Sequence, residues 1–100
     1  MTPHHVIVFL EAKEGKEDLL KDALMNVAKK SRAEEGCLDY QVIQDKSTPQ
    51  KFGLVEKWQS QEVHQEQFSK PYILEFAKQA ESWLAKPFEA LFGHQCDASH

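Results

Sequence analysis

Cysteine is scarce in this sequence. Cys37 and Cys96 are its 2 cysteines, far apart and with no His or Cys at ligand spacing, which excludes a disulfide framework or a cysteine-based metal centre. Cys37 reads as a buried structural thiol and Cys96 as a thiol in a loose tail. The 5 histidines lack a ligand pattern too. His4 and His5 are neighbours, which a strand sends to opposite faces, and His94 and His100 fall near the C-terminus. No metal is expected.

Positive charge is not in excess. Lys and Arg number 12 against 16 Asp and Glu, a net charge of -4, so neither nucleic acid nor an anionic membrane is an expected partner. The longest apolar run, Val6–Leu10, is strand-sized, far short of the roughly 20 residues of a membrane span. No basic stretch followed by a long apolar one opens the chain, and a cytoplasmic protein is expected. Repeats and low-complexity segments are missing as well. What remains is an ordinary globular composition, 41% hydrophobic and 28% charged, in 100 residues. That length makes one domain with a modest core, expected to be ordered over about 4–93 with a polar tail over 94–100.

Residues 4–12 are rich in β-branched and aromatic side chains and read as a strand. Residues 16–35 form the clearest helix. Leu19, Leu20, Ala23, Leu24, Val27 and Ala28 make one stripe, Glu17 and Asp18 lie in the first turn, and Lys29, Lys30 and Arg32 lie near the end. Gly36 reads as its left-handed stop. Residues 37–44 and 51–58 read as an antiparallel hairpin around a turn containing Pro49. In the second strand Phe52, Leu54, Glu56 and Trp58 share a face. Ser60 reads as the N-cap of a helix that breaks at Pro71. A second helical piece carries Tyr72, Ile73, Phe76, Ala77, Ala80, Trp83 and Leu84 on one side, and residues 86–92 read as a last strand.

The order β-α-β-β-α-β is the ferredoxin-like arrangement of α+β proteins, an antiparallel sheet with its helices on one face. The other sheet face also carries apolar groups, too many for a monomer to expose. Pairing of two such sheets in a homodimer is therefore expected.

Gly15-Lys16-Glu17, Ser31-x-x-Glu34-x-Gly36-Cys37-x-x-Tyr40, Pro49, Phe52-x-Leu54-x-Glu56-x-Trp58 and Ser60 occur in that order. The set resembles the antibiotic biosynthesis monooxygenase family over essentially the whole chain. The resemblance implies a dimeric α+β barrel with a pocket in each subunit between helices and sheet. It also implies, as in some members, oxygenation of a small aromatic quinol or phenol by O2 with no cofactor. Other relatives isomerise or break down small signalling sugars, or degrade haem. The chain departs from the pattern after Trp58: where many members carry a His in the following helix and a Pro-His pair beyond it, this sequence has Gln67 and Tyr72.

Cofactor-free oxygenation needs a dry apolar cavity, a base with a pKa near the working pH, and a donor to the ring oxygen. His64 is the candidate base, although its surroundings, residues 61–67, have the polar composition of a solvated helix face, and that bland reading weighs more. Tyr72 is a candidate proton relay or orienting group. Trp58, Gln67, Phe76 and Tyr40 are candidate substrate contacts, with a purely structural role the more natural one for Tyr40. Glu56 reads as a dimer-interface carboxylate rather than a pocket group. The alternatives to an oxygenase are a non-catalytic, ligand-binding or stress-associated dimer, and an isomerase of a small signalling metabolite. No Arg or Lys cluster near the proposed pocket supports phosphate binding.

Overall fold

The computed structural model describes residues 3–97. Its elements, in chain order, are β1 (His4–Glu11), α1 (Glu17–Arg32), β2 (Cys37–Gln44), β3 (Lys51–Trp58), α2 (Gln61–Gln67), α3 (Pro71–Ala80) and β4 (Glu89–Gly93). The four strands form one sheet in the order β2-β3-β1-β4, with every neighbouring pair antiparallel. This is the ferredoxin-like α+β fold read from the sequence. Residues 94–97 of the expected tail follow β4 as exposed chain, and residues 98–100 lie outside the described residues.

Alternation along each strand decides which side chains meet the helices. On β1, His4, Val6, Val8 and Leu10 point inward and are buried, while His5, Ile7 and Phe9 point outward. On β3, Phe52, Leu54, Glu56 and Trp58 are the buried set. Helix α1 covers this inner face with Leu20, Leu24, Val27, Ala28 and Ser31, and these side chains build the core with the strand residues. Leu19, expected on that stripe, is exposed.

Two turns follow from local chemistry. Gly15 has a φ of +86°, the left-handed region where glycine has no Cβ penalty. In the β2–β3 turn, Asp45 Oδ2 accepts from the backbone N–H groups of Ser47 and Thr48, the local bonding that suits Asp to turns.

The second glycine of the motif works differently from expectation. Gly36 does not have a positive φ, and α1 ends earlier, at Arg32, with Ala33 still in right-handed helical geometry. Gly36 is needed for space: a Cβ there would collide with the side chain of Val63 on α2. That approach seats α2 close to the sheet. Ser60 caps α2 by accepting from the Val63 N–H at 3.2 Å. Pro71 takes the first turn of α3, where its missing N–H leaves no bond unmade.

Past α3 the chain is tied to the end of β1: Lys13 N–H donates to Trp83 O at 2.7 Å and Ala85 N–H to Glu11 O at 2.8 Å. The last strand starts at Glu89 rather than residue 86, and pairs with β1 from Phe9 to His5.

The outer sheet face carries an apolar patch at its centre. Ile7 stands between Val55 and Leu91 in the ladder, and Phe9, Ile43 and Leu91 are exposed. No described helix is long and apolar enough to cross a membrane.

Candidate active site

Between the inner sheet face, α1, α3 and the chain entering β4 lies a cavity of about 680 Å³. Its walls are mainly aliphatic and aromatic, among them Val6, Leu24, Leu54, Ile73, Phe76 and Phe88. Four polar side chains also face it, Tyr40, Glu56, His64 and Gln67, and Glu81 and Lys86 join the lining near β4.

Glu56 reaches the cavity by the alternation that puts it between Leu54 and Trp58 on the buried face of β3. Its carboxylate is held by the indole of Trp58, whose Nε1–H donates to Oε1 at 2.9 Å. Burial pushes its pKa up to about 7, while hydrogen bonding from Trp58 and Tyr40 holds it back. Glu56 was expected at the dimer interface. It belongs to the cavity instead, because its strand face is the one the helices cover.

His64 sits one turn into α2, with its backbone N–H bonded to Ser60 O at 3.2 Å. It is 4% exposed, which overturns the reading of a solvated helix histidine. Its ring packs against Phe68, Trp58 and Phe92 at centroid distances of 4.8, 5.3 and 5.5 Å. Burial, with a smaller contribution from His4, lowers its pKa to about 4. Its Nε2 is 3.6 Å from Glu56 Oε1. At neutral pH the pair is a neutral imidazole beside a carboxyl poised to exchange a proton.

The remaining expected site residues divide. Tyr40 is buried and lines the cavity, with its phenol pKa raised by burial and by the Glu56 charge. Phe76 lines it as well, and so does Gln67, but the Gln67 amide donates to Ser31 Oγ at 2.6 Å and to the Tyr72 hydroxyl at 3.2 Å. Trp58 does not line the cavity. It is fully buried beneath α2, edge-on to Tyr40, and acts through its bond to Glu56. Tyr72 is also outside the lining. Its hydroxyl turns toward the end of α1 and donates to Glu34 Oε2 at 2.9 Å, and Lys70 pairs with the same carboxylate at 3.4 Å. Burial raises its pKa.

The thiols are both free, Cys37 half-buried and Cys96 exposed. Among the described residues, no three His, Cys, Asp or Glu side chains gather closely enough to hold a metal ion.

Residues 3–79 match the family described as antibiotic biosynthesis monooxygenase. The chain belongs to that family. A curated relative, an uncharacterized protein of Synechocystis, is 34% identical over 59 residues, which is 59% of this chain and 40% of that protein. The chain thus spans about two fifths of that relative's length. Among solved structures, PA3566 of Pseudomonas aeruginosa superimposes with a TM-score of 0.90 at 25% identity, covering 95% of each chain. Rv0793 of Mycobacterium tuberculosis superimposes with a TM-score of 0.89 at 23% identity, covering 98% of this chain and 100% of its own.

Within the antibiotic biosynthesis monooxygenase family, this chain places its cavity histidine one turn before the position held by Gln67. Sequence reasoning preferred the interface to the cavity for Glu56 and gave no role to His4. Both share strand parity with core residues, and that parity was the signal available.

Proposed function

We propose that this protein is a cofactor-independent monooxygenase that oxidises a small aromatic phenol or quinol with O2. The observation that carries the reading is the Glu56 carboxyl facing a mainly apolar cavity with His64 Nε2 3.6 Å away, its pKa pushed up to about 7 by burial. The family match supports it.

In this reading Glu56 takes the phenolic proton, with His64 beside it. The phenolate gives one electron to O2, and the ring radical and superoxide combine at a ring carbon that bears hydrogen. The peroxide O–O bond then breaks. One oxygen stays as a carbonyl, and the other leaves as water with the two hydrogens the substrate has lost, so phenol and O2 become quinone and water. The apolar walls exclude bulk water from these intermediates. Tyr40 contacts substrate while its O–H holds the Glu56 carboxylate. Phe76 and Gln67 contact substrate, and Trp58 fixes the Glu56 carboxylate. Tyr72 supports Gln67 rather than reaching substrate.

One observation favours a second reading, a dimer that binds a small apolar ligand without turnover: Gln67 and Tyr72, at the histidine positions of the pattern this sequence resembles, have their polar groups committed to Ser31 and Glu34. We also read the outer sheet face as the homodimer surface and the protein as cytoplasmic.

Oxygen uptake by metal-stripped protein with a panel of hydroquinones and hydroxyanthrones tests the proposal. Turnover above autoxidation that falls about 100-fold or more in Glu56→Gln, the scale of losing a general base, supports it. No uptake with any of the panel, together with ligand-induced thermal stabilisation, favours the binding dimer.

A further inference from the structure

One buried group has no part in this chemistry. His4 is 9% exposed, and its Nε2 is the buried side-chain polar atom that lacks a hydrogen-bond partner among the described residues. Leaving such an atom unpaired is costly, and native structures keep few of them. The alternation of β1 turns His4 toward α2, where its ring lies 5.2 Å from that of His64, centroid to centroid, at a tilt of 39°. Phe92 of β4 packs against it at 5.7 Å.

His4 does not line the main cavity. It lines a separate hollow of about 500 Å³ at the start of β1, whose walls include the exposed Gln61, Glu62 and His94. His64, in contrast, lines the main cavity and not this hollow. The two imidazoles therefore pack against each other, one lining the main cavity and the other the hollow.

We propose that His4 is a proton-relay residue that connects the Glu56–His64 pair to solvent through this hollow. It acts through His64 and does not touch substrate. The inference rests on the reading of the main cavity as the place where Glu56 takes a substrate proton. The substrate O–H bond breaks as the Glu56 O–H forms. That bond breaks in turn as His64 Nε2 gains the proton. The resulting imidazolium gives up the proton on its other nitrogen, which passes to Nε2 of His4. His4 then releases a proton from Nδ1 to water in the hollow. Each ring ends neutral with its tautomer reversed, and passage in the opposite direction resets it when the departing water needs protons.

The titratable groups facing His4 from the elements packed on it are His64 and Glu62 of α2 and His94 beyond β4, with Glu56 of β3 behind His64. A charge on His4 disfavours one on His64.

The test uses 15N-labelled full-length protein and the variants His4→Phe and His4→Gln. NMR reads the solvent-exchange rate of the His64 ring N–H, calorimetry reads the melting temperature, and oxygen uptake reads kcat and KM. The expected result is exchange slowed about tenfold or more in both variants, with kcat falling by a similar factor at unchanged KM, because proton transfer and not substrate binding is affected. The melting temperature of His4→Phe should hold or rise, because an unpaired buried nitrogen has been removed. If that variant does not fold, His4→Gln carries the same readouts. Unchanged exchange overturns the relay, as does slowing that tracks a loss of melting temperature. Slowed exchange in a protein without oxygen uptake keeps the relay and removes the oxygenase reading. Uptake that persists with unaffected exchange does the reverse.

Discussion

His64 Nε2 stands 3.6 Å from Glu56 Oε1, and burial works against the charged form of each. Burial moves each toward its uncharged form, Glu56 from 4.5 up to about 7 and His64 from 6.5 down to about 4. These displacements act in opposite directions on stability.

Folded Glu56 holds its proton more tightly than the unfolded chain does, so its contribution is complete below pH 4.5 and is lost as pH rises toward 7. His64 binds its proton more tightly when unfolded, so its contribution is complete above pH 6.5 and is lost as pH falls toward 4. Between pH 4.5 and 6.5 the slopes oppose, and the wild type should be nearly flat. Glu56→Gln should become more stable as pH rises through this window, and His64→Phe less stable, each by on the order of 3 kcal/mol. Urea midpoints across the pH series measure this, and flat profiles in both variants would refute the protonation states assigned to the pair.

Tyr72→Phe should leave oxygen uptake within about threefold of wild type, because the hydroxyl faces Glu34 and not the cavity. The loss of its hydrogen bonds should lower stability by about 1 kcal/mol. A hundredfold loss of turnover at normal stability would place Tyr72 back in the chemistry.

Gly36→Ala should destabilise the fold by about 1–3 kcal/mol, the scale of overpacking, because its Cβ meets Val63. The double variant with Val63→Ala should regain part of the loss. Thermal denaturation of the three variants gives the coupling, and strict additivity would contradict the contact.

A homodimer formed through the outer sheet face should dissociate when Leu91, 63% exposed in the single chain, becomes Lys. Sedimentation at micromolar concentration should show the mass halved while the circular dichroism spectrum is kept. A dimer that survives this change uses another surface.

The elements were legible because their signals are local. The stripe of α1, the alternation of β3, Ser60 as a cap and Pro71 as a break all act within a few residues. The site was harder because it depends on which sheet face the helices choose. Parity put Glu56 with Phe52, Leu54 and Trp58, but it could not tell the covered face from the outer one. His64 looked solvated because its sequence neighbours are polar. It is buried because α2 lies close against the sheet, an approach that a single missing methyl at Gly36 allows. Gln67 and Tyr72 were read from position in a pattern, whereas their hydrogen-bond partners, Ser31 and Glu34, come from α1 and the turn beyond it.

The two borders of the sheet differ in a way that bears on self-association. Pairing between β2 and β3 shifts register between Cys37 and Asp39, a bulge that leaves Leu38 outside the ladder. An irregular border presents a broken row of backbone donors and acceptors to any incoming strand. On the opposite side β4 offers only 5 residues. Neither border is a long unbroken template, which disfavours growth of the sheet by edge addition.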